Sequence, residues 1–141
     1  MTSVEDRSFA SLQVGDQATF ERRISEDDVQ AFADLSGDQN PLHMDDGYAR
    51  SASFAGRVVH GMFLAGLVSR LVGMQLPGKR ALLMKESLEF KKPVYCGDTV
   101  KVEGVVVHTS LATHSIELEI HLYVRRTIVA TGKVHVHVHD K

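Results

Sequence analysis

Between Gly61 and Gly73 the chain carries Met62, Phe63, Leu64, Ala65, Leu67, Val68, Leu71 and Val72, so apolar residues surround a helix on almost every side. A helix with so little polar surface belongs inside something, and a sheet wrapped around it would enclose it. The rest of the chain supplies such a sheet. From Ala81 onward the hydrophobic period changes to two. Ile116, Leu118, Ile120, Leu122 and Val124 alternate with Ser115, Glu117, Glu119, His121 and Tyr123, and Val134, Val136 and Val138 alternate with Lys133, His135, His137 and His139. Leu82 to Phe90 and Thr99 to Val107 are less regular strands. Four consecutive strands joined by short Gly-, Ser- and Asp-containing turns predict an antiparallel sheet with one buried face. The expected fold is α+β: a curled antiparallel sheet around a long apolar central helix, in one domain over residues 1–141.

Composition narrows the function classes. A formal net charge of −2 argues against a general attraction to nucleic acid or to an anionic membrane. The most apolar stretch, Val58 to Leu76, is broken by His60, Arg70 and three glycines, so no membrane span is expected. Met1 to Ala10 contains Glu5, Asp6 and Arg7 without an apolar run, which is unlike a signal peptide. The single cysteine, Cys96, allows no internal disulfide and no cysteine zinc site, and a reduced cytoplasmic compartment is the simplest reading. It lies in a turn-like stretch, Pro93 to Asp98, without an activating neighbour.

The first half holds the chemistry. Thr19 to Ile24 reads as a strand, and Ser25 as the N-cap of a helix with Glu26, Asp27 and Asp28 in its first turn. Val29, Phe32 and Ala33 form its apolar face, and Gly37 supplies its stop. A polar loop from Gly37 to Asp46 follows, in which Pro41 blocks helix continuation and pushes Asn40 toward an extended conformation. Asp38 and His43 lie five residues apart with Pro41 between them, and a turn there can bring both side chains to one point. A carboxylate and an imidazole converging on one water make a proton-transfer pair. Asp, Asn, Pro and Gly are also what any turn contains, so composition alone favours the plain turn.

Three segments change that balance. Leu35-Ser36-Gly37-Asp38-Gln39-Asn40-Pro41-Leu42-His43-Met44-Asp45 resembles the signature of the MaoC-like, or (R)-specific, enoyl-CoA hydratases, which are hot-dog-fold enzymes. Phe54-Ala55-Gly56-Arg57-Val58-Val59-His60-Gly61-Met62 is similar to the segment leading into that family's central helix, and Phe90 to Asp98 is a looser match to its strand followed by Pro and Gly-Asp. The resemblance implies that Asp38 and His43 bind and activate the water that attacks the β-carbon of a 2-enoyl thioester, then return a proton to the α-carbon. It implies that the Gly61 N–H holds the thioester carbonyl. Ser69 resembles a position lining the site, a supporting polar contact. Asn40 fixes the loop beside Pro41 or touches Asp38 or the water. His60 could be taken for a second catalytic histidine, and packing or capping near the helix start is the stronger reading.

The implied step needs no redox cofactor, and no motif for one is present. Two metal readings stand behind this one: His43 with Asp45 and Asp46, and His135, His137 and His139 on one face of a strand, for which a solvent-facing role is the stronger reading. A hot-dog thioesterase and a non-catalytic acyl-thioester-binding module are the alternative functions. The exposed edges of a wrapped sheet predict a homodimer or an assembly of dimers. The resemblance implies that the acyl thioester lies along the subunit boundary with basic side chains at its entrance, for which Arg57, Lys79, Arg80, Lys91 and Lys92 are candidates to meet carrier phosphates. Lys79-Arg80, Lys91-Lys92 and Arg125-Arg126 are otherwise ordinary solvated surface.

Overall fold

The computed structural model describes residues 3–140. After a short 3-10 turn, Phe9–Ser11, come β1 (Gln17–Arg23), α1 (Glu26–Ser36), α2 (Pro41–Met44), α3 (Asp46–Ser51) and α4 (Gly61–Met74). Four long strands complete the chain: β2 (Ala81–Phe90), β3 (Thr99–Ser110), β4 (Ser115–Val124) and β5 (Thr127–Val138). They form one five-stranded sheet in the order β1-β3-β4-β5-β2, with antiparallel neighbours throughout.

Period-two patterning decides which face is buried. Ile116, Leu118, Ile120 and Leu122 of β4 and Val136 and Val138 of β5 are 0% exposed, whereas His135 on the opposite face is open to solvent. Removing each such side chain from water contributes roughly 1.5–3 kcal/mol. Against this face lies α4, through Leu64, Leu67, Val68, Leu71 and Val72. Helix and sheet meet closely at Gly104 of β3, where an added Cβ would stand 2.7 Å from Leu71 Cδ2. A curled sheet packed on an apolar central helix is the hot-dog arrangement.

Three expectations need correction. First, α4 is not enclosed on every side. Met62 is 68% exposed, and Gly66, Ser69, Arg70 and Gly73 continue the open stripe, because the sheet curls past only part of the helix circumference. Second, β5 begins at Thr127 instead of Lys133, and β1 at Gln17 instead of Thr19. Third, the polar loop contains a short helix, α2, and its last residue, Asp46, opens another, α3. The strand β2 forms an edge of the sheet, and its Leu82 and Met84 face outward at 55% and 60% exposure.

Candidate active site

Helix α1 opens with a reciprocal capping box: the Asp28 N–H donates to Ser25 Oγ, and the Ser25 N–H donates to Asp28 Oδ2. It closes at Gly37 in the left-handed conformation. From there side chains, not a ladder, shape the backbone. The Asp38 N–H donates to Ser36 Oγ (3.1 Å), the Asn40 N–H to Asp38 Oδ1 (3.2 Å), and the Leu42 N–H to Asn40 Oδ1 (2.9 Å). Asn40 is thus the cap of α2, and Pro41 takes the first helical position, where a missing N–H costs nothing. The result carries His43 back toward Asp38.

The segment from Arg57 to His60 then locks the loop from the other side. His43 Nδ1 lies 2.6 Å from the Val58 carbonyl oxygen. A carbonyl only accepts, so Nδ1 carries the hydrogen and Nε2 of the neutral ring keeps its lone pair. That Nε2 faces Asp38 Oδ2 across 3.9 Å. The gap is too long for a direct hydrogen bond and short enough for one water to reach both atoms at about 2.8 Å each. Arg57 holds the same loop twice, donating its backbone N–H to Asp46 Oδ1 (2.9 Å) and its Nε–H to the His43 carbonyl (2.7 Å). Asp45 accepts the Tyr48 N–H and caps α3. Asp45 and Asp46 each direct one carboxylate oxygen to a backbone N–H.

His60 enters the site as well, packed against His43 at the start of α4. It is 2% exposed, its ring stacks on His43 with centroids 3.9 Å apart and planes 26° apart, and its Nε2 lies 3.0 Å from the Asp38 carbonyl oxygen. Asp38, His43 and His60 present ligand-type atoms within 4.8 Å of one another. Stacked rings set their in-plane lone pairs side by side, however, whereas a bound cation needs lone pairs converging on one point. The arrangement suits proton transfer.

Gly61 is the first residue of α4, and its N–H has no partner inside the helix. Phe90 covers it so closely that a Cβ would meet the ring at 3.1 Å. His43, Gly61, Leu64, Phe90, Lys91 and Lys92 line one cleft of about 300 Å³. A second cleft of about 640 Å³ shares Lys92 and adds Arg50, Arg57 and Arg125. Lys91 pairs with Glu89 at 2.8 Å. Ser69 is not part of this gathering: it lies on the open stripe of α4, eight residues beyond Gly61 and so about 12 Å along the axis. Lys79 and Arg80 lie just before β2, at the opposite end of that strand from Phe90, where Arg80 pairs with Asp6. Burial pushes the Cys96 thiol up, away from the thiolate a nucleophile needs.

Residues 10–127 match the MaoC like domain. The (R)-specific enoyl-CoA hydratase of Aeromonas caviae is 48% identical over 96 residues, which cover 68% of this chain and 72% of that one. The (R)-specific enoyl-CoA hydratase of Rhodospirillum rubrum is 38% identical over 130 residues, 89% of this chain and 83% of its own. Among solved structures, the A. caviae (R)-hydratase superposes with a TM-score of 0.88 at 38% identity, covering 92% of this chain and 98% of that one. An R-hydratase of Pseudomonas aeruginosa in the unliganded form gives 0.91 at 31% identity, covering 98% and 89%. By sequence over most of its length and by the path of its backbone, the chain belongs to the MaoC-like domain family.

Proposed function

We propose that this protein adds water reversibly across the double bond of 2-enoyl thioesters to give (R)-3-hydroxyacyl thioesters. The observation that carries the reading is the gap of 3.9 Å between Asp38 Oδ2 and His43 Nε2, beside a helix that opens with the free N–H of Gly61. The two side chains take a proton from the water held between them as its oxygen bonds to the β-carbon. The electron pair of the double bond moves onto the thioester carbonyl. There the Gly61 N–H, at the positive end of α4, stabilises the enolate oxygen. The enolate then recovers a proton from the same pair at the α-carbon, so water is consumed whole and neither a redox cofactor nor a metal enters the step. Relatives named as (R)-specific enoyl-CoA hydratases support both the reaction and its stereochemistry.

The acyl carrier, coenzyme A or acyl carrier protein, meets Arg50, Lys92 and Arg125 in the cleft they line together with Glu26, Asp46 and Asp98. The same reading includes a cytoplasmic location and a homodimer, or an assembly of dimers, that covers the open stripe of α4 and the edge of β2. Supporting the dimer, Met62 on α4 and Leu82 and Met84 on β2 are exposed large apolar residues. Among the described residues no helix is long and apolar enough to cross a membrane.

The test uses crotonyl-CoA. Hydration removes the conjugated enoyl absorbance without releasing thiol, and chiral analysis finds the (R) product. Thiol release would mean hydrolysis, and neither signal would mean a binding module.

A further inference from the structure

His60 has no part in the water-holding pair, yet it touches both of its members. Its Nε2 lies 3.0 Å from the Asp38 carbonyl oxygen, which can only accept, so Nε2 carries the hydrogen and donates it. The neutral ring then has a bare Nδ1, and that atom is buried without a partner. An unpaired acceptor in a ring 2% exposed is costly, and the cost is borne at a place where each neighbouring contact bears on the site. One ring face stacks on His43, the edge of Phe32 packs at 4.8 Å between centroids, and the backbone of His60 forms the N-cap that delivers the Gly61 N–H. His60 offers α4 no side-chain cap, so capping does not account for a histidine here.

We infer that His60 is a positioning residue: by donating its Nε2–H to the Asp38 carbonyl it ties the Asp38 backbone to the start of the central helix and sets the distance from Asp38 Oδ2 to His43 Nε2. This rests on the hydratase reading above. Asp38 needs such a tie because its side chain is 52% exposed and its loop contributes no other buried anchor at that residue. Without the tie the carboxylate is free to drift, and a displacement near 1 Å of a reacting group costs on the order of 100-fold in rate.

Two amides separate this role from mere packing. In His60→Gln the side-chain amide nitrogen falls near the position of Nε2 and can donate to the Asp38 carbonyl. In His60→Asn it falls near Nδ1 and cannot reach. Both variants lose the stacked ring and bury one neutral amide. With crotonyl-CoA, H60N is expected to lose roughly 10- to 100-fold in kcat with KM within about threefold of wild type, while H60Q recovers most of that loss. In an Asp38→Asn background the difference between the two should vanish, because the group being positioned is gone. Equal kcat for H60N and H60Q, or a loss confined to KM, would overturn the inference while leaving the hydratase reading intact. A wild type without hydratase activity would sink the hydratase reading instead, and a fully active D38N would remove Asp38 from the reacting pair and overturn the inference with it. Nitrogen-15 spectra of the histidine rings in the wild-type protein test the tie without any variant. They should show His60 protonated at Nε2 and bare at Nδ1, and the opposite tautomer rules the donation out.

Discussion

His135 and His137 follow one another at alternate positions of β5, and the strand sends both to the face away from the core. His43 and His60 are seventeen residues apart on different helical segments, and their rings stack at 3.9 Å. In the first pair the backbone period decides which face each ring takes, and His137 adds one exposed bond, from Nδ1 to the Thr113 carbonyl oxygen at 3.1 Å. The valines between the histidines take the buried side, and the imidazoles take what is left. In the second pair, backbone carbonyls decide. Val58 O holds Nδ1 of one ring, and Asp38 O holds Nε2 of the other, so the two face the site with different nitrogens. The same residue type is surface filler in one region and reaction machinery in the other, and only its partners distinguish the two.

Removing the machinery should produce the largest effect. Asp38→Asn and His43→Ala are each expected to lower kcat by about 10²–10⁴-fold with little change in unfolding temperature. The double mutant should be hardly worse than the poorer single, since both act on one water. Near-normal turnover by either single mutant breaks the assignment.

Leu118→Ala sharpens the other side of the contrast. Leu118 is 0% exposed in the centre of β4, and its truncation should cost about 2–5 kcal/mol in denaturant unfolding while turnover per folded molecule stays unchanged. A loss of turnover without a loss of stability would mean that sheet and site are not the separate regions described.

Glu86 lies between these cases, on β2 with Oε1 buried and unpaired, and burial pushes its carboxyl up to about 7. Below pH 4.5 the carboxyl is protonated in both folded and unfolded chains, so it leaves stability unchanged. Between pH 4.5 and 7 the folded chain keeps a proton that the unfolded chain releases, and stability falls as pH rises. Glu86→Gln should therefore gain about 1–2 kcal/mol at pH 8, after allowance for the partial exposure of the group, and nothing at pH 4. Equal gains at both pH values would mean that shape and not charge is at issue.

The smallest effect belongs to the strand histidines. His135→Asn and His137→Asn should each shift stability by no more than about 0.5 kcal/mol and leave hydration untouched. A drop in activity on either change would give β5 a part in the chemistry.

What was legible in the chain follows the same division. Alternation at Ile116 through Leu122 located β4 and its buried face because a strand's side-chain period is a local property. The start of β5 was missed because Arg125 and Arg126 form the two-residue connection between Val124 and Thr127 with φ of 49° and 68°. Such turns are normally announced by Asn-Gly or Gly residues, and two arginines announce nothing. The open stripe of α4 was hidden for a related reason: Met62 is as apolar as Leu64, and only the finite width of the sheet tells them apart. In the loop, Asn40-Pro41 is a helix-start signal as well as a bend, with Asn40 as cap and Pro41 at the first helical position. The convergence of Asp38 and His43 was readable through resemblance, and neither the bond from His43 to Val58 nor the stack on His60 has any signature in residue spacing.

The loop is tied to the rest of the protein mainly by polar bonds: His43 to Val58, His60 to Asp38, and Arg57 to both His43 and Asp46. From Gly37 through Asp46 it contains no buried residue, and its Met44 packs against the core while remaining only partly buried. Opening that stretch therefore exposes little apolar surface and leaves the sheet ladders whole, so it lies at the low end of the free energies of local unfolding. On warming, the site should come apart as its own cooperative unit before the sheet does. Amide protons of residues 38–46 would exchange through this partial opening, while those of β4 and β5 wait for the whole molecule to unfold.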